Sequence, residues 1–123
     1  MVETQKSAEA RTLDAEEVRR FGRLADDWWN VAGKFRPLHK IGPARLQYIR
    51  EQVVGHFGLD AGARAPYAGL TLLDIGCGGG LVAEPLARLG GSVTGIDPAA
   101  ENISVAKQHA AEQGLAIDYR AER

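Results

Sequence analysis

The stretch Leu72-Leu73-Asp74-Ile75-Gly76-Cys77-Gly78-Gly79-Gly80 concentrates the chemical potential of this sequence. A short apolar run ends in glycines and hands over to a helical pattern. The C-terminal end of a strand that opens a helix is where open α/β sheets bind ligands. Glycines let the backbone pass close to a ligand that side chains would keep away. The free N–H groups of a helix start favour a negative group. Asp97 closes the next strand pattern, 21 positions after Gly76. A carboxylate is expected about 20 residues on, where it accepts bonds from ribose hydroxyls. Loop and acid together predict a ribose-containing cofactor across the first two strands. The plainer alternative is a glycine turn beside a solvent-facing Asp97.

The glycine spacing narrows the cofactor. A dinucleotide fingerprint, G-x-G-x-x-G, needs a third glycine where this chain has Leu81. That disfavours the second reading, a nicotinamide-dependent oxidoreductase. The glycines instead fall at Gly76, Gly78, Gly79 and Gly80, with Asp74 two residues ahead of the first. This D-x-G-x-G-x-G string resembles motif I of the class I S-adenosylmethionine-dependent methyltransferases. Such a cofactor brings a methionine carboxylate and amine in place of a pyrophosphate. An acid at Asp74 can organise the loop and lie near the cationic end.

These residues need elements to hold them. Residues 1–11 are polar and expected to be disordered. Asp14 and Glu17 read as a helix cap with its capping-box partner. Val18, Phe21, Leu24, Ala25 and Trp28 then form one apolar stripe to about Trp29. Residues 30–42 read as an ordered loop, and Pro43 as the first turn of a second helix. Leu46, Ile49, Val53, Val54 and Phe57 give that helix a buried face, and Gly58 stops it. Residues 12–58 are thus a helical cap, and 59–69 a linker. From residue 70 the pattern is strand, helix, strand, helix, strand. LTLLDIG suits a buried parallel strand. Gly80–Arg88 reads as a helix shortened by Pro85. SVTGID (92–97) is the second strand, Pro98–Gln113 a helix stopped by Gly114, and LAIDYR (115–120) the third strand. The expected class is α/β, a Rossmann-like sheet with right-handed crossovers. Three strands are fewer than a doubly wound sheet has, so residues 70–123 are expected to be the first half of a larger domain.

Composition excludes other classes. The chain has 123 residues, 45% hydrophobic and 25% charged, which suits one globular core. With 15 Lys and Arg against 16 Asp and Glu, no basic excess suggests nucleic acid. A single cysteine makes no intrachain disulfide, and three histidines make a structural zinc cluster improbable. No apolar run approaches the ~18 residues of a membrane-spanning helix. The mixed-charge N-terminus resembles no secretory or transit segment, so the expected compartment is the cytoplasm.

The methyl acceptor enters through resemblance. Trp28-Trp29, Gly33-Lys34-Phe35-Arg36-Pro37-Leu38-His39-Lys40-Ile41, Pro43-Ala44-Arg45-Leu46 and Tyr48-Ile49 resemble the N-terminal signature of the ubiquinone-biosynthesis O-methyltransferases. LLDIGCGGGLVAEPLARLG and SVTGID are similar to that family's cofactor half. The resemblance runs from about Asp14 to Glu122 and covers the N-terminal half of a family member. Gly42 stands where the family usually has Asn. The resemblance implies S-adenosylmethionine as cofactor, held by positions matching Arg45, Gly76 and Asp97. It implies a polyprenylated catechol-type acceptor, an isoprenoid quinone precursor. It also implies contact with the inner membrane surface or a biosynthetic complex. A later segment of the family, associated with divalent metal and catalysis, would follow Arg123, so the general base is not named. A non-catalytic cofactor-binding or interaction piece is the third reading.

Other residues carry less. Arg45 can pair with the methionine carboxylate, or be a solvated helix charge. Cys77 has no base nearby and reads as a small residue filling the loop. His39 is either an acceptor-pocket residue or a structural loop residue, and His56 and His109 are assigned no function. Trp28 is expected in the core. Trp29, off the stripe, is expected to cover the cofactor or a quinone-like ring. Lys34, Arg36, His39 and Lys40 can meet anionic lipid or stay solvated.

Overall fold

The computed structural model describes the backbone of residues 2–123 and the side chains of residues 15–123. Three strands, β1 (Thr71–Ile75), β2 (Ser92–Asp97) and β3 (Asp118–Ala121), form one parallel sheet in the order β1-β2-β3. Val93, Thr94 and Ile96 suit the centre of such a sheet, because β-branched side chains pack well on a pleated surface. The crossovers contain α3 (Ala83–Arg88) and α4 (Ala100–Glu112). Ahead of the sheet lie α1 (Val2–Trp29) and α2 (Arg36–Phe57).

Register sets which residues share a face. Leu72 pairs with Val93, Asp74 with Gly95, and Gly95 with Tyr119. On this face Val93 and Tyr119 pack with Ala83 and Leu86 of α3 and with Ile103, Ala106 and Ala110 of α4. Leu46, Ile49 and Val53 of α2 lean on the same core. The opposite face is different. Leu73 is 59% exposed and Ile75 74% exposed, so β1 is buried on one face only. This corrects the reading of LTLLDIG as a fully buried strand: α3 and α4 both pack on the first face.

Five boundaries move. The backbone of α1 is helical from Val2, where residues 1–11 were expected to be disordered. The chain ahead of Asp14 is rich in Ala, Glu, Gln and Lys, which favour helix and offer no stop. The Asp14 cap lies outside the described side chains. The loop expected over 30–42 is only six residues long, because Arg36 already begins α2. Pro37 takes the first-turn place expected of Pro43, and Pro43 lies inside the helix. There its missing N–H forfeits the bond to the His39 carbonyl. In the crossovers, α3 begins at Ala83 and α4 at Ala100, each later than expected. The third strand begins at Asp118, because the Leu115 N–H first closes α4 by bonding the Ala110 carbonyl at 2.9 Å. Gly58 ends α2 as expected, with its own N–H and that of Leu59 bonded to the Val54 carbonyl. Among the described residues, no helix is long and apolar enough to cross a membrane.

Candidate functional site

The glycine loop hangs from the end of β2. The Gly76 and Cys77 N–H groups both donate to the Ile96 carbonyl, at 2.8 and 3.0 Å. The next residue, Asp97, is buried and holds the loop from below. Its Oδ2 accepts the Gly78 N–H at 3.0 Å, and its Oδ1 accepts the Ala99 N–H at 2.9 Å. So the carboxylate is no solvent-facing side chain. It ties the loop to the start of α4. Each oxygen has spent one lone pair, and a carboxylate has about four acceptor sites.

Gly76 has φ +75°, and a Cβ there would meet nothing within 4 Å. Backbone this left-handed, at the tip of a strand and facing open space, favours glycine and admits a close ligand. Gly80 is enclosed instead, with a Cβ at that position 2.5 Å from the Tyr119 hydroxyl. At Gly78 and Gly79 the neighbour is Trp28: a Cβ on Gly79 would lie 2.6 Å from the Trp28 Cγ.

Asp74 stands beside Gly76 with Oδ2 buried and without a hydrogen-bond partner. Burial pushes its carboxyl above the usual range, and Asp97 pushes the same way, while the Arg45 guanidinium pulls it down. Arg45 is itself exposed on α2. Of the predicted site residues, Asp74, Gly76, Gly78, Gly80 and Asp97 thus lie at or just beyond the ends of β1 and β2, and Arg45 on α2 is near enough to act on Asp74. Cys77 is inert: burial first, then Asp74 and Asp97, push its thiol up to about 12.

The two tryptophans have different neighbours. Trp28, expected in the core, covers the loop. Trp29, expected to cover the cofactor or a quinone-like ring, stacks on His109 with ring centroids 3.6 Å apart. His39 Nε2 donates to the Trp28 carbonyl at 2.8 Å, a contact that joins the start of α2 to the end of α1. Sequence reasoning missed a buried network. Glu84 is fully buried, accepting His109 Nδ1 at 2.5 Å and Arg88 Nη2 at 3.2 Å. The only local signal was the Glu84–Arg88 spacing of four. Among the described residues, no group of three or more His, Cys, Asp or Glu is placed to hold a metal.

The pieces fit a cofactor with an ammonium, a carboxylate and a ribose. Asp74 Oδ2 lacks a donor, Gly76 leaves room, and Arg45 supplies a cation nearby. One consequence can be measured without a ligand. The raised Asp74 pKa means that the fold holds this proton more tightly than the unfolded chain does. The associated stability is present below about pH 4 and is lost as pH rises through the folded value. Asp74→Asn is therefore expected to gain stability over the parent as pH rises from about 4.5 to 7.5. Urea unfolding of both proteins at the two pH values checks this, and a pH-independent difference would return Asp74 to an ordinary carboxylate.

A parallel three-stranded sheet, a glycine loop at the tip of β1 and an acid closing β2 define the Rossmann-like half of a class I methyltransferase fold. Residues 72–123 match the family model described as a methyltransferase domain. The solved structure of the bifunctional kinase-methyltransferase WbdD superimposes with a TM-score of 0.52 at 32% identity, over 65% of this chain and 17% of that one. More narrowly, the chain is similar to proteins named ubiquinone biosynthesis O-methyltransferase. It is 61% identical over 115 residues to the one from Chelativorans sp., covering 94% of this chain and 46% of that protein. The one from Mesorhizobium japonicum is 59% identical over 110 residues, covering 89% and 44%. For that of Brucella anthropi the figures are 55% over 121 residues, 98% and 47%. The chain thus spans about half the length of the curated relatives it matches.

Proposed function

We propose that the protein binds S-adenosylmethionine across the tips of β1 and β2 and serves O-methylation of a polyprenylated catechol-type ring in ubiquinone biosynthesis. The observation that carries the cofactor assignment is the unpartnered Asp74 Oδ2 beside the open face of Gly76. In this reading Asp74 accepts from the cofactor's amine, and Arg45 pairs with its carboxylate. Asp97 accepts from ribose hydroxyls with the lone pairs its backbone partners leave free. The cofactor supplies a methyl group already activated on sulfonium. The protein's task is to align the reactants and to take the phenolic proton. No residue described here is assigned as that base.

What supports the acceptor is the name shared by the relatives above. An acceptor with an isoprenoid tail is met at a membrane surface, so a peripheral cytoplasmic location goes with the proposal. Calorimetry is the test of the cofactor. S-adenosylhomocysteine is expected to bind and NAD to give no heat. Tight NAD binding with no response to S-adenosylhomocysteine overturns the assignment.

A further inference from the structure

The loop that receives the cofactor is gripped from two sides, and only one of them belongs to the sheet. Below, Asp97 holds the Gly78 N–H. Above lies the Trp28 indole, on the last turn of α1. Its Cζ2 would stand 2.9 Å from a Cβ on Gly78, and its Cγ 2.6 Å from a Cβ on Gly79. Real Cβ atoms do not come this close, so the glycines at these two positions are needed by the indole. Trp28 is itself held by three contacts, two of them on the ring. Its Nε1 donates to Asn102 Oδ1 on α4 at 3.1 Å. Its ring stacks on Phe35 at a centroid distance of 4.2 Å and 19° between planes. Its backbone carbonyl accepts from His39. Trp28 therefore joins α1, the start of α2 and α4 around the loop, while the open face of Gly76 is left for a ligand.

We propose that Trp28 is a positioning residue for the cofactor site: it acts through the Gly78–Gly79 backbone and holds the loop in the shape that binds. The proposal rests on the cofactor reading above. Docking of α1 and binding of the cofactor then strengthen one another, because each favours the same loop conformation. Trp28 needs no contact with the ligand for this, which separates it from Arg45, Asp74 and Asp97.

The test is a set of S-adenosylhomocysteine affinities measured by calorimetry on the full chain. Trp28→Ala is expected to weaken binding about tenfold or more, and Trp28→Phe to recover most of that loss. Gly79→Ala is expected to weaken binding about tenfold in the parent, where the new methyl meets the indole, and much less in the Trp28→Ala background. Equal losses from Gly79→Ala in both backgrounds mean that the glycine is reserved for the ligand, and overturn the proposal. An unchanged affinity in Trp28→Ala overturns it as well. If Trp28→Ala does not fold, Asn102→Ala and Phe35→Leu loosen the indole without removing it. Each should then weaken binding about threefold, and two unchanged affinities overturn the proposal. Absence of binding by the parent protein is a different outcome: it overturns the cofactor reading and the positioning role with it.

Discussion

Asp97→Ala is expected to lower the unfolding free energy by about 2–4 kcal/mol and to weaken S-adenosylhomocysteine binding about 30- to 700-fold. Both effects come from one carboxylate with two sets of lone pairs. In the fold it accepts the N–H groups of Gly78 and Ala99, and the first of these is buried. A charge-assisted bond contributes about 1.5–3 kcal/mol, and a buried N–H left without a partner costs about 1–3 kcal/mol. The Ala99 N–H is less buried and recovers water, which keeps the sum below the simple total. Under the proposed cofactor reading the affinity loss has the same origin, with the ribose acceptors and the loop shape removed together. Asp97→Asn separates the parts. One amide oxygen still accepts, while the amide nitrogen faces a backbone N–H and repels it. Stability should fall between the parent and alanine. Urea titration and calorimetry on the same samples check the pair of effects. An Asp97→Ala protein as stable as the parent would remove the loop-tying role.

Glu84→Ala is the second large loss, expected at about 2–4 kcal/mol of stability. The Glu84 side chain is fully buried, whereas His109 is 21% exposed and Arg88 45% exposed. Removing a partner from a fully buried ion pair costs about 3–5 kcal/mol, because the remaining charge is stranded. Here both remaining groups reach water, so the loss is smaller and comes from the broken bonds and the cavity. Glu84→Gln keeps the shape and one acceptor and should lose about half as much. Chemical denaturation gives the stability. The emission of Trp29 reports the geometry, since His109 loses the carboxylate that orients it under the indole. A Glu84→Ala protein within about 0.5 kcal/mol of its parent would make the network incidental.

The parts of the molecule legible in its sequence are those set by local rules. β2 reads to the residue because SVTGID lies between Gly91 and Pro98. Gly58 closes α2 as a lone glycine after an apolar stripe does. The glycine loop and Asp97 follow from spacing alone. What spacing leaves open is which bonds a side chain has already made. Asp97 was legible as an acid at a strand tip, and its two backbone partners were not. Trp28 and Trp29 are neighbours on one helix, about 100° apart around its axis. Which of them faces the loop is decided by Asn102, 74 residues away, and by the stack on Phe35. Glu84 and His109 meet across 25 residues of crossover, with no motif to announce them. Pro37 and Pro43 compete for the same helix start, and a proline inside a helix is the rarer outcome that sequence rules discount.

The central strand has a further consequence, in the language of local opening. β2 is the one strand of this sheet hydrogen-bonded on both sides, to β1 and to β3. Its amides should therefore exchange with solvent only in openings near the global unfolding free energy. The lower grip on the loop, from the Ile96 carbonyl and Asp97, is rooted in that slowest-opening segment. The upper grip belongs to a helix whose ion pair to the body, Arg20 with Glu101, is exposed at both ends and contributes little. Protection should thus be graded across the loop, with the α1 side opening in smaller and more frequent events. A ligand entering above Gly76 then meets a floor that stays closed and a wall that opens without unfolding the sheet.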